Sequence, residues 1–138
     1  MNRFYRIILD PYPGLIRAEG TFVVPGNSKK EVITKINTLF PLLSDVAKFV
    51  EEIKFSKQVL FDITIYRLGY PAFRIKYHRK NINITFKGKE WKLDFDNPMF
   101  VDNDINTISR ETCIKQEKLK KFFEGFMEWR DIMLNFLD

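Results

Sequence analysis

Cysteine is almost missing from this sequence: Cys113 is the only one in 138 residues. The chain can therefore close no internal disulfide and cannot assemble a cysteine-based zinc site. Histidine is as scarce, with His78 alone, and no Ser, Cys or Asp motif adjoins it, so the components of a nucleophile–base pair are not visible. Long apolar runs are lacking too. No stretch approaches the ~18 residues that a membrane-spanning helix needs. The opening "MNRFYRIILDPYPG" carries charge near its start and has no apolar core of the secretory-signal kind. These absences predict a soluble, cytoplasmic protein with no catalytic motif, no metal site and no cofactor.

What is present is apolar bulk with interspersed charge. Hydrophobic residues make up 45% of the chain and aromatics 15%, with 14 Phe. That is enough to fill the core of one domain, or to wall a cavity. A net charge of +5 is compatible with an anionic partner such as nucleic acid or a membrane surface. Lys and Arg are nonetheless mixed with Asp and Glu along most of the chain, with no block of like charge that would form a binding arm. Nucleic acid is therefore the less favoured partner.

Periodicity supplies the organisation. From Ile16 to Val24 apolar and polar residues alternate as in a half-buried strand, and Pro25-Gly26 ends it. Ser28 followed by Glu31 has the form of a capping box, which predicts a helix from Lys29 with Val32, Ile33, Ile36, Leu39 and Phe40 at helical spacing. Pro41 interrupts it, and a second short helix is expected over Leu42 to Lys48. Strands then follow, with apolar sets at Val59, Phe61, Ile63 and Ile65, at Phe73, Ile75 and Tyr77, at Ile82, Ile84 and Phe86, and at Trp91, Leu93 and Phe95. Loops at Leu68 to Ala72, Lys80-Asn81 and Gly88-Lys89 have the parity that keeps all these side chains on one face of an antiparallel meander. A final strand is expected around Ile105 to Arg110. The last segment is a long amphipathic helix, with Leu119, Phe122, Phe126, Trp129, Met133 and Phe136 on one stripe. Such a helix is marginal alone in water, so it must dock on the greasy face of the meander.

Strand, short helices, antiparallel meander and long C-terminal helix, in that order, resemble the helix-grip fold of the START-like lipid-transfer and polyketide-cyclase superfamily. "EGTFVVPGNSKKEVITKI" and "LFPLLSDVAKFV" are similar to the beginning of the carbon monoxide dehydrogenase subunit family within that superfamily. The resemblance implies one α+β domain over the whole chain, with residues 1–14 as an N-terminal arm that has no counterpart. It also implies a curved sheet around the last helix, enclosing a cavity for a hydrophobic small molecule, lipid-like or aromatic. The implied walls are Phe61, Ile63, Ile65, Phe73, Ile75, Tyr77, Ile84, Phe86, Trp91, Leu93 and Phe95, facing Phe122, Phe126, Trp129 and Met133. Binding or transport of such a ligand is the leading expectation. The alternatives are a cyclase- or aromatase-type enzyme using the same cavity, or a basic nucleic-acid-binding protein.

Single residues divide between bland and sharp readings. The aromatic stripe could be plain core as well as pocket wall. Tyr77 falls on the greasy face and brings a hydroxyl that could anchor a ligand or reach the rim. Arg67 and Arg79 share that parity near strand ends, where they could meet a carboxylate or extend to solvent. Arg74, Lys76, Lys87 and Lys92, interrupted by Glu90, Asp94 and Asp96, read as a solvated face, and His78 belongs to that side. Cys113 reads as a buried apolar thiol. Gly125, inside the last helix, marks either simple tolerance or close approach of another element or a ligand. Phe123, Met127 and Leu134 widen the helix stripe, which predicts a homodimer through that flank or through the N-terminal arm.

Overall fold

The alternation up to Val24 folds as strand β2 (Ile16–Gly26) in a computed structural model that describes residues 3–10, 16–44, 46–55, 61–67, 70–78, 81–86, 89–94 and 102–136. Its partner on one side is β1 (Arg3–Asp10), so the N-terminal arm is a strand of the sheet. Ile7 lies opposite Phe22 on β2 and opposite Val50 on β3 (Ala47–Ile53), which places β1 between two neighbours. Tyr5, Ile7 and Leu9 are buried on its inner face, while Phe4 and Ile8 are partly buried on the other parity. Gly20 has φ +131, and a Cβ there would overlap the Asp62 carbonyl, so this crossing of β2 and β4 requires glycine.

Helix α1 (Lys29–Leu39) begins where the capping box places it. The Ser28 hydroxyl accepts from the Glu31 N–H at 3.1 Å, and the Glu31 carboxylate accepts from the Asn27 N–H at 3.3 Å. Val32, Ile36 and Leu39 are buried beneath it. The second helix expected over Leu42 to Lys48 does not form. A single 3-10 turn at Pro41–Leu43 takes its place, and the chain then leaves as edge strand β3. The Lys48 ammonium shows how the turn is closed: it donates to the carbonyls of Leu43 and Val46 at 2.6 and 2.8 Å, and the Leu43 oxygen is one that a continuing helix would have bonded internally.

The meander is β4 (Phe61–Arg67), β5 (Tyr70–His78), β6 (Asn81–Phe86) and β7 (Lys89–Asp94). Ile63 pairs with Ile75, Tyr77 with Ile82 and Ile84 with Trp91, so the greasy residues share one face as parity requires. Each connection differs from expectation by one side-chain repeat. Tyr70 already belongs to β5, Asn81 pairs with His78, and Lys89 pairs with Phe86. A bulge between Ile65 and Tyr66 absorbs the first difference. Val59 and Phe95 lie outside the described residues.

The strand expected around Ile105 to Arg110 is a helix, α2 (Asp102–Thr112). Ile105, Ile108 and Thr112 are its buried stripe, and Asp102 and Asp104 sit in its first turn, where carboxylates favour the helix dipole. Cys113 ends it at φ 59 and is exposed, which overturns the buried-thiol expectation. The left-handed residue turns the chain outward, while Thr112 and Ile114 on either side take the buried positions. Helix α3 (Gln116–Leu134) then buries Leu119, Phe122, Phe123, Gly125, Phe126, Trp129 and Met133. The result among the described residues is α+β. A curved antiparallel sheet in the order β3-β1-β2-β4-β5-β6-β7 carries the long C-terminal helix, the layout of a helix-grip fold.

Candidate functional site between the β6–β7 edge and the last two helices

The greasy face and α3 meet in a layer of rings. Phe61 is at its centre, with centroids 4.9 Å from Phe126, 4.9 Å from Trp129, 5.3 Å from Phe22 and 6.0 Å from Phe40. Phe73 touches Phe122 at 5.7 Å, and Phe122 touches Phe40 at 5.3 Å. The Trp129 indole N–H donates to the Val23 carbonyl at 2.7 Å, tying α3 to β2. Tyr77 is buried, with its ring and that of Trp129 in an edge-to-face contact. Most of the expected wall residues are thus brought together: Phe61, Ile63, Ile65, Phe73, Ile75, Tyr77, Ile84, Phe86, Phe122, Phe126, Trp129 and Met133 are all buried in one core cluster. Around Phe61 the space between sheet and helix is occupied by the protein's own rings.

Space opens further along. A cleft of about 290 Å³ lies between the β6–β7 edge of the sheet, α2 and α3. Its apolar lining is Ile84, Leu93, Ile105, Phe123, Phe126 and Met127, and its polar lining is Asp102, Lys120 and Glu124. Ile84, Leu93 and Phe126 are expected walls. Trp91 is half-buried beside them in sequence and carries the Lys89 ammonium 4.6 Å over its ring. Arg79 and Phe95, and the side chains of Arg67 and His78, lie outside the described residues. The contributors that strand and helix periodicity leave out are Ile105, Phe123, Met127 and the three charged residues. Phe123 and Met127 are visible in the sequence as an i, i+4 pair widening the helix stripe. Ile105 is hidden by the strand-like alternation of its segment.

Electrostatically, the cleft combines two carboxylates and one ammonium around an apolar floor. Among the described residues Asp102, Lys120 and Glu124 take part in no ion pair. Its described lining holds no serine, cysteine or histidine, and no group of His, Cys, Asp and Glu among the described residues is placed to hold a metal ion. The arrangement can desolvate an apolar body and orient a polar end; it presents no nucleophile–base pair.

On the opposite face of the sheet, cations are matched by anions. Arg74 donates to both Asp62 oxygens at 2.9 and 2.7 Å, and hydrogen bonding to Asp62 holds the guanidinium above its usual range. Arg6 meets Glu51 at 3.5 Å, and Arg3 meets Glu52 at 3.6 Å. Charges so paired attract a polyanion weakly. The flank of α3 that predicts a dimer is partly covered by the protein itself: Phe123 is buried against Phe73, Leu134 is half-buried, and Met127 is 40% exposed. No helix among the described residues is long and apolar enough to cross a membrane. Comparison of the chain with protein-family models, with curated proteins and with solved structures gives no match.

Proposed function

We propose that this protein binds a small hydrophobic molecule in the cleft between the β6–β7 edge, α2 and α3. The observation that carries the reading is the cleft itself: about 290 Å³ bounded by Ile84, Leu93, Ile105, Phe123, Phe126 and Met127, with charge confined to Asp102, Lys120 and Glu124. Its volume is at the low end for small-molecule sites, which run from about 300 to 1,000 Å³. A ligand of modest size with one polar end fits that description. The helix-grip layout supports the reading, because the last helix and the sheet edge hold the two walls apart through the aromatic layer at Phe61. Fold alone carries no function, so the weight rests on the site.

Native mass spectrometry after exposure to a lipid and aromatic extract tests it. The expected outcome is a discrete added mass that is lost in Met127→Trp, because the larger ring fills the cleft from a position that is already 40% exposed and disturbs little of the core. No added mass in the parent protein, or the same added mass in Met127→Trp, contradicts the assignment.

A further inference from the structure

We infer that the cleft selects an amphiphile with a cationic, amine-type head and a short apolar tail; this rests on the hydrophobic-ligand reading above. Lys120 and Glu124 stand four apart on α3, on one helical face, and Asp102 opens α2 across the cleft from them. Lys120 can neutralise one carboxylate and leaves the other unmatched. The local excess is therefore one negative charge, opposite in sign to the chain's net charge of +5. It borders an apolar floor, where a charge is screened less than on open surface and Coulombic preference is correspondingly larger. A cationic head placed between Asp102 and Glu124 gains a partner while its tail covers Ile84, Leu93 and Ile105. A carboxylate head in the same place faces two like charges and has only Lys120, which already has Glu124 within reach.

Calorimetric titration of the full chain at neutral pH with octylamine, octanol and octanoate separates the possibilities, since the tails are alike and only the heads differ. The expected order is octylamine tightest, at least tenfold tighter than octanoate, with octanol between them. In an Asp102→Asn, Glu124→Gln double variant, octylamine should fall to the affinity of octanol while octanol itself is unchanged. Circular dichroism confirms that the variant is folded. Octanol equal to octylamine in the parent protein, or octanoate as tight as octylamine, overturns the head-group inference and leaves the hydrophobic-ligand reading standing. Failure of all three to bind overturns both.

Discussion

Gly125 shows how much one missing methyl decides. A Cβ at this position would overlap the carbonyl oxygen of Leu39 and would lie 3.1 Å from the Phe40 ring. Glycine inside a helix costs about 1 kcal/mol relative to alanine, so a tolerated glycine would be improved by replacement. Here the end of α1 runs against α3 at that point, and Phe40 is fully buried with no room to retreat. Gly125→Ala is therefore expected to destabilise the fold by about 1–3 kcal/mol, the usual range for overpacking a close-packed interior. Denaturant unfolding measures it, and a midpoint that rises, or stays where it was, would show that the two helices are not held in this contact. The sequence places Gly125 inside the helix and allows close approach as one reading. It cannot name the neighbour, because Leu39 is far away in the chain and periodicity carries no information about which elements cross.

Elements are legible where one periodicity governs and obscure where two compete. Strands β2 and β4 to β7 alternate cleanly, and the parity of their connections puts the right side chains on one face even though each turn lies one side-chain repeat from its expected place. A shift by a full repeat leaves every side chain on the same face, so the hydrophobic pattern cannot detect it. β1 escapes the pattern because Phe4 and Ile8 are apolar on one parity and Tyr5, Ile7 and Leu9 on the other, which hides the period of two. α2 reads as a strand because Ile105, Thr107 and Ser109 alternate as a strand would, although Ile105, Ile108 and Thr112 also form the helical stripe that is buried. The end of α2 offers a test at this scale. Cys113 holds φ 59, a conformation that costs a side-chain-bearing residue about 1–2 kcal/mol and glycine almost nothing. Since its side chain is exposed and loses no core contact, Cys113→Gly should stabilise the protein by about 0.5–1 kcal/mol after the added freedom of the unfolded chain is counted. A lower melting temperature in this variant would mean that α2 does not end in a left-handed turn.

At the scale of the molecule, the aromatic layer and the cleft divide the labour. Phe22, Phe40, Phe61, Phe122, Phe126 and Trp129 hold sheet and helix together by ring contacts, and the cleft opens where α2 and the β6–β7 edge extend past that layer. Phe126 belongs to both. The greasy wall of the site can be read from the strands, while its polar end cannot, since Asp102, Lys120 and Glu124 come together only through the packing of α2 on α3. The most direct measurement of the central claim is methyl NMR during titration with octanol. The account predicts that the methyl signals of Ile84, Leu93, Ile105 and Met127 shift along one saturable curve, while those of Ile7 and Ile36, buried outside the cleft lining, stay in place. Saturable shifts centred on Ile7 and Ile36, or no saturable shift at the four cleft residues, would contradict it.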